Sequence, residues 1–286
     1  MKTISSLTEI TRQAREWHRQ GLKIALVPTM GCLHEGHLSL MRRAVSLADR
    51  IIVSIFVNPM QFGPNEDFAS YPRQLEIDCR LAEQEGVHAV FCPKAGDMYG
   101  ASFQTRVSVT QLSQGMCGAD RPGHFDGVAT VVLKLFHLSR PDVAVFGQKD
   151  FQQLAIIRQM TADLNLGIEI VGCPIIREPD GLAMSSRNKY LQGESRHQAL
   201  CLSQAIHAAR RFVVAAPGEV STEAIISQTE EIITQAGAKL EYAVVIDEDS
   251  LQNQTVVNIK SVLAIAARIG GKVRLIDNAK LIPEKV

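Results

Sequence analysis

The chain has 286 residues, enough for one large domain or two of ordinary size. Hydrophobic residues make up 46% and charged residues 21%, which is typical of a globular protein and excludes a disordered or fibrous chain. Thirty basic residues balance thirty acidic ones, so no global field attracts nucleic acid or an anionic membrane. We therefore expect small-molecule partners, no nucleic acid and no membrane, with any anion site formed locally.

The cysteines and the N-terminus bear on location. The six cysteines are scattered without a Cys-x-x-Cys pair, which favours reduced thiols over a disulfide framework or a zinc ribbon. The N-terminal segment mixes charged and apolar residues at helical spacing and lacks the uninterrupted apolar core of a signal peptide. No stretch approaches the ~20 apolar residues that a membrane span needs. The sequence predicts a cytoplasmic protein.

Short apolar runs alternate with longer amphipathic stretches in the first part of the chain. The runs predict strands at 23–29, 51–57, 88–92, 142–147 and 168–172. The intervening stretches predict helices at 37–49, 74–85, 127–139 and 151–164. Continuous apolar strands separated by helices indicate an α/β domain with a doubly wound parallel sheet, which binds ligands at the carboxyl ends of its strands.

The character of the sequence changes near residue 175, so we predict domains at 1–175 and 176–286. A polar, Arg-rich segment runs to 188 and is followed by predicted helices at 194–215 and 222–235. Strand-like runs follow at 239–247, 261–269 and 272–281. This pattern predicts a smaller α+β C-terminal domain.

The first chemically informative motif runs from Pro28 to His37, where the first apolar strand gives way to a helix. A helix N-terminus exposes backbone N–H groups and a partial positive charge, which suits a phosphate. His34 and His37 lie on one face of the first turn, and Gly36 lets a nucleotide approach the backbone. A zinc site would need His-Glu-x-x-His, and the spacing here is one residue short. Two surface histidines at a helix start remain the alternative.

Other polar groups follow later strands of the predicted sheet. Asn58 and Gln61 come after the second strand, and an amide there can hold a hydroxyl and a carboxylate. Lys149 offers a charge to a phosphate, Asp150 can accept ribose hydroxyls, and Gln153 lies one turn further on. A solvated turn and a surface salt bridge are the respective alternatives.

A polar segment at the predicted domain boundary contains Ser185, Ser186 and Arg187. Two hydroxyls and a guanidinium can close over a triphosphate, whereas an exposed loop is the alternative.

Together these segments resemble the pantothenate synthetase family of the nucleotidylyltransferase superfamily, which has a Rossmann-like fold and a His-x-Gly-His motif. Five segments match in family order between residue 24 and about 190: PTMGCLHEGH, FVNPMQFGPNEDF, RPGHFDGV, FGQKDFQQL and MSSRN. The chain departs from the family at Cys32, where Ala is usual, and at Gln148, where Glu is common. The C-terminal hundred residues match in overall pattern only.

The resemblance implies an ATP-dependent ligase that condenses pantoate with β-alanine through pantoyl adenylate, releasing pyrophosphate and AMP. It implies Mg²⁺ with the ATP, a homodimer, and a C-terminal domain that acts as a lid. His34, His37 and Lys149 would be catalytic, with His37 as the acid. Gln61 and Gln153 would bind pantoate, with Gln61 also near β-alanine. Asn58 and Arg121 are further substrate-binding candidates. The ATP-binding residues implied are Met30, Gly31, Cys32, Leu33, His34, Glu35, Gly36, His37, Gly147, Gln148, Lys149, Asp150, Ile176, Met184, Ser185, Ser186 and Arg187.

Two rival functions stay open on sequence grounds. One is a nucleotidylyltransferase of cofactor assembly, which leaves AMP on its product and releases only pyrophosphate. The other is a nucleotide-binding regulator without catalytic activity. The sequence does not identify protein ligands of the metal.

Overall fold

The computed structural model describes residues 1–64 and 66–282. Its contacts divide the chain into two compact units. The first unit comprises residues 1–148 and 152–175, and the second comprises Lys149–Phe151 together with the chain from Ile176 onward. The sequence placed Lys149–Phe151 in the first domain, whereas its contacts place this short segment with the second unit.

The first unit contains a parallel sheet, which confirms the predicted α/β class. Its strands are β1 Lys2–Ile4, β2 Ile24–Thr29, β3 Arg50–Ile55, β4 Ala89–Phe91, β5 Val143–Gly147 and β6 Glu169–Cys173. The strand order is β1-β4-β3-β2-β5-β6, and every neighbouring pair is parallel. Strand β1 was not predicted, because three residues at a sheet edge are too few to show a period.

Helices cover both faces of this sheet. They are α1 Leu7–Arg19, α2 Glu35–Val45, α3 Leu75–Gln84, α4 Ala95–Met98, α5 Cys117–Asp120, α6 His124–Ser139 and α7 Phe151–Asp163. Side chains alternate between the faces along a strand. Leu26 packs in a cluster with α1, α6 and α7, whereas Val27 packs in a cluster with α2 and α3. Burying such an aliphatic side chain stabilises the fold by about 1.5–3 kcal/mol, so both helical layers are held by the sheet.

The second unit has the predicted α+β composition. Its elements are α8 Glu194–Ala199, α9 Cys201–Ala215, α10 Thr222–Gln235, β7 Lys239–Asp247, β8 Ser261–Ile269 and β9 Val273–Lys280. The three strands form an antiparallel sheet in the order β7-β8-β9, and α9 and α10 supply apolar side chains to the same core. The single helix predicted at 194–215 is instead two helices joined at Leu200.

No helix in residues 1–64 and 66–282 combines the length and the apolar character needed to cross a membrane. All six cysteines carry free thiols.

Candidate active site

The loop from β2 to α2 has a backbone conformation that is fixed by one buried carboxylate. Gly31 and Cys32 both have positive φ, at 82° and 51°. The Asp78 carboxylate of α3, 1% exposed, accepts hydrogen bonds from the backbone N–H of Cys32 at 2.9 Å and of Leu33 at 2.8 Å. The Gln74 amide donates to the same carboxylate at 3.1 Å. A Cβ on Gly31 would lie 3.0 Å from Asp78 Oδ2, so glycine also makes room for this carboxylate.

His34 and His37 together form the N-terminal cap of α2. The Nδ1 atom of His34 accepts from the Gly36 backbone N–H at 3.2 Å, and the Nδ1 atom of His37 accepts from the His34 backbone N–H at 3.4 Å. An accepting Nδ1 carries no proton, so in each neutral ring the proton is on Nε2. The ring centroids are 4.1 Å apart. The pair therefore presents two Nε2–H donors at a helix N-terminus, which is the chemistry that a phosphate requires.

The side chain of Glu35 points elsewhere. Its carboxylate forms an ion pair with Arg42, whose guanidinium also contacts Glu85 at 2.8 Å. In the predicted ATP-binding segment, Glu35 can therefore contribute its backbone at the first turn of α2, while its charge is balanced within the protein.

Asn58 is buried, and its side chain makes several hydrogen bonds at the turn that follows β3. Its Nδ2 donates to Gln61 Oε1 at 3.1 Å and to the Gly127 carbonyl at 3.0 Å. Its Oδ1 accepts from the Tyr99 hydroxyl at 2.7 Å and from the Met60 backbone N–H at 3.3 Å. Burial raises the pKa of Tyr99, so this hydroxyl stays a donor. Asn58 itself is 1% exposed. This geometry indicates that Asn58 supports Gln61 and does not contact the substrate directly.

Gln61 is held at its backbone as well as at its side chain. Its carbonyl accepts from Arg121 Nη2 at 3.1 Å and from His124 Nδ1 at 2.7 Å. Because Nδ1 of His124 donates, its Nε2 is the acceptor for Arg121 Nη1 at 3.0 Å. Arg121 also makes a two-pronged ion pair with Glu66. Arg121 thus holds the main chain of Gln61, the predicted substrate-binding residue.

The Glu66–Arg121 ion pair predicts a pH dependence of stability. Burial opposes ionisation of Glu66, but the hydrogen bonds and charge of Arg121 outweigh it and lower the pKa of Glu66 below the ordinary 4.5. A lowered pKa adds stability above pH 4.5 that is lost as the pH falls through the folded-state value. Glu66→Gln should therefore destabilise the protein near neutral pH, and the difference from wild type should shrink in acid. Chemical unfolding at pH 7 and below pH 4.5 measures this, with the exposed Glu230→Gln as control. A difference that is the same at both pH values would contradict the expectation.

Gly127 allows α6 to approach the turn that carries Gln61. A Cβ at this position would lie 2.3 Å from the Met60 carbonyl oxygen and 2.7 Å from the Gln61 nitrogen. Gly127→Ala should therefore push the helix and the turn apart and lower the free energy of unfolding by about 1–3 kcal/mol. Gly96→Ala is the matched control, because Gly96 also lies in a helix and its Cβ would meet nothing within 4 Å. Equal stability of the two variants in urea would show that the turn can move freely.

A cavity of about 320 Å³ opens at the carboxyl ends of β2, β3 and β4. Its walls include Met30 and Gly31 of the predicted ATP-binding loop, Phe56 after β3, and the buried Asp78. The predicted pantoate residues Gln61 and Gln153 do not line it. Met30 nevertheless lies beside one of them, since Gln61 Nε2 donates to its Sδ at 3.2 Å.

Two neighbouring glutamines at the beginning of α7 differ in their exposure. Gln152 is 7% exposed, and its Nε2 donates at 2.9 Å to the carbonyls of both Leu112 and Gly115. Gln153, the residue predicted to bind pantoate, is half-buried. Gln152 therefore anchors the chain segment before α5, and Gln153 is the member of the pair that is accessible to a ligand.

In the second unit, the predicted ATP-binding residues lie on two segments of chain. Gly181 ends a tight turn, after which Ala183 pairs with Arg177 and the Met184 N–H donates to the Ile176 carbonyl at 2.9 Å. This pairing brings Ile176 next to Met184. Ser185 follows, and its side chain caps the 3₁₀ turn Ser186–Tyr190 by accepting from the Arg187 N–H at 3.3 Å. Lys149 lies in the other segment, in the 3₁₀ turn Gln148–Asp150.

The described ranges, 1–64 and 66–282, contain no group of three or more His, Cys, Asp or Glu side chains placed to hold a metal ion. Mg²⁺ commonly binds through substrate phosphates and retained waters, with few protein carboxylates. The residues described by the structure thus form no dedicated metal cage.

Sequence and structure comparisons place the chain among known proteins. A sequence model of the family described as pantoate–beta-alanine ligase matches residues 2–280. The chain belongs to the pantoate–beta-alanine ligase family. The pantothenate synthetase of Desulfotalea psychrophila is 54% identical, covering 99% of this chain and all of that protein. That of Geobacter sulfurreducens is 52% identical, covering 98% and 99%.

Solved structures of pantoate–beta-alanine ligases have the same fold. A crystal structure of the Thermus thermophilus pantothenate synthetase has a TM-score of 0.91 at 39% identity, covering 99% of this chain and all of that one. The Francisella tularensis ligase, complexed with beta-gamma ATP and beta-alanine, has a TM-score of 0.82 at 34% identity and covers 98% of each chain. These comparisons confirm the family inferred from the five sequence motifs and the predicted fold class.

Proposed function

We propose that the chain is an ATP-dependent ligase that condenses pantoate with β-alanine to give pantothenate. The observation that carries this proposal is the capped pair His34 and His37, whose Nε2–H donors lie at the N-terminus of α2 in a member of the pantoate–beta-alanine ligase family. The names of the relatives support a ligase over the rival nucleotidylyltransferase that leaves AMP on its product. The complex of the Francisella protein with beta-gamma ATP and beta-alanine supports two of the three substrates.

In the first step, an oxygen of the pantoate carboxylate attacks the α-phosphorus of ATP. The P–O bond to pyrophosphate breaks and pantoyl adenylate forms. The carboxylate is already ionised at neutral pH, since an α-carboxyl titrates near ~3.5, so this step needs no general base. Its obstacle is the approach of two anions and the charge that builds on pyrophosphate. We propose that His34, His37, Lys149, Arg187 and the N-terminus of α2 offset that charge. Mg²⁺ that binds with ATP would supply further positive charge.

In the second step, the neutral amine of β-alanine attacks the acyl carbon of the adenylate. A C–N bond forms, the C–O bond to AMP breaks, and the amine loses a proton. Water would compete for the same carbon, so the reaction needs a site from which water is excluded. The proposed lid action of the C-terminal domain would serve this need.

The assignment of substrate groups is based on the family resemblance, with support from the partial exposure of Gln61 and Gln153. We propose that Gln61 and Gln153 bind pantoate, with Gln61 also near β-alanine. Asn58 and Arg121 are proposed to hold Gln61 in place, because their hydrogen bonds go to Gln61 and its neighbours. For the remaining residues that the family resemblance implies, we propose a role in ATP binding on that resemblance alone.

Product analysis tests the reaction. The purified protein is incubated with ATP, Mg²⁺, pantoate and β-alanine, and each component is omitted in turn. We expect pyrophosphate to require ATP and pantoate, and stoichiometric AMP to require β-alanine as well. Pyrophosphate formation with AMP retained on the product would support the nucleotidylyltransferase instead. Binding of ATP without turnover would support a regulator.

Two further properties are proposed on the family resemblance. We propose a homodimer, which sedimentation equilibrium would distinguish from a monomer. We also propose a cytoplasmic location, with support from the six free cysteine thiols.

A further inference from the structure

The last strand of the second unit reaches back to the turn that carries Lys149. The side chain of Asn278 on β9 is 6% exposed, and its Nδ2 donates to the Lys149 carbonyl oxygen at 2.9 Å. The two residues are 129 positions apart in sequence. Lys149 has a long, flexible side chain, so the position of its ammonium depends on the backbone from which it extends. Asn278 fixes that backbone at Lys149 itself.

The preceding residue of β9 fixes the second ATP-binding segment of this unit. Asp277 is 2% exposed and accepts a bidentate pair of hydrogen bonds from Arg177, at 2.7 and 2.9 Å. The same Arg177 guanidinium donates to the Gly181 carbonyl at 3.0 Å, which closes the turn before Met184. The Asn278 backbone N–H donates to Asp277 Oδ1 at 2.8 Å, so the main chain of Asn278 also holds the Asp277 carboxylate.

We propose that Asn278 is a positioning residue for adenylate formation, which acts by holding Lys149, and that Asp277 supports the Ile176–Met184 pairing in the same way. The proposal rests on the proposed ligase function, because it assumes that Lys149 contacts the triphosphate. Neither residue lies in the motifs that indicated the function. A displacement of about 1 Å in a charge-stabilising group can lower a rate by about 100-fold, so the loss of one backbone tether has a measurable consequence.

A double-mutant cycle tests the proposal, with the rate of ATP–pyrophosphate exchange in the presence of pantoate as the readout. Asn278→Ala should lower this rate by about 10- to 100-fold. In a Lys149→Ala background, the same substitution should have little further effect, because the group that Asn278 positions is already gone. Asn258→Ala is the control, since the Asn258 side chain is exposed and accepts from the Lys260 N–H in a loop of the same unit. When Asn258→Ala and Lys149→Ala are combined, the fold loss in exchange rate should equal the product of the two single losses.

A second variant and a second readout distinguish a folding defect from the loss of a positioning residue. Asn278→Asp has nearly the same volume but no Nδ2–H donor, and it should reproduce the kinetic effect if Asn278→Ala folds poorly. Hydrogen exchange at amides 149–152 should become faster in both variants, whatever the reaction catalysed. Wild-type protein that forms no adenylate would refute the ligase. Active wild type with an unchanged rate in both variants, or with Asn278 and Lys149 effects that multiply, would refute the positioning role.

Discussion

Replacing Lys149 with alanine should slow adenylate formation by about 1000-fold, while the protein remains folded. A preorganised positive charge contributes most where negative charge develops, which in this reaction is the departing pyrophosphate. The C–N bond formation that follows does not increase that charge. The loss should therefore be seen in ATP–pyrophosphate exchange, and addition of more pantoate should not restore the rate.

Lys260→Ala is the control for the Lys149 substitution. Lys260 is an exposed lysine of the same unit, and its ammonium pairs with Asp249 at 2.8 Å. Its removal should leave both the exchange rate and the thermal unfolding transition near wild type. Near-normal pyrophosphate exchange in Lys149→Ala would remove this lysine from the proposed mechanism.

Replacing Asp78 with alanine should lower the free energy of unfolding by about 3–4 kcal/mol. The substitution leaves the buried N–H groups of Cys32 and Leu33 without their acceptor, and each unsatisfied buried group costs about 1–3 kcal/mol. Asp78→Asn should cost less, because its remaining oxygen still accepts one of these bonds. Both variants should also weaken ATP binding, since the loop leads directly into His34.

Asp49→Ala is the control, which shows how much stability is lost when an exposed aspartate is removed. Asp49 also accepts from a backbone N–H, that of Lys23 at 2.9 Å, but this bond is exposed and water can replace it. Urea unfolding should therefore show a much smaller loss. Similar losses for Asp49→Ala and Asp78→Ala would mean that the loop relaxes without its buried acceptor.

The sheet of the first unit and the location of its motifs could be predicted because their signals are local. Apolar runs such as that of β2 indicate buried strands, and the glycine and proline residues after them mark the strand ends. The short strand β1 gives no such signal. The start of α2 was placed two residues late, because a histidine cap is not among the usual N-cap residues.

The supporting residues could not be predicted, because their roles depend on contacts between distant parts of the chain. Asp78 appears in the sequence as one more charge in an amphipathic helix, yet it is buried against the loop 46 positions earlier. Glu66 and His124 similarly act on Gln61 through tertiary contacts. Lys149, which belongs to the second unit, is likewise held by a hydrogen bond from Asn278 on β9, a strand that the chain reaches 129 positions later.

The hydrogen bond from Gln61 Nε2 to the Met30 sulfur has a consequence for ligand affinity. A thioether is a weak acceptor, so this amide N–H gives up little if a hydroxyl or carboxylate oxygen replaces the sulfur as its acceptor. The Gln61 oxygen is meanwhile retained by Asn58, which keeps the amide from rotating. An acid bound at Gln61, as we propose, would replace this poor acceptor with a good one at an amide that is already oriented.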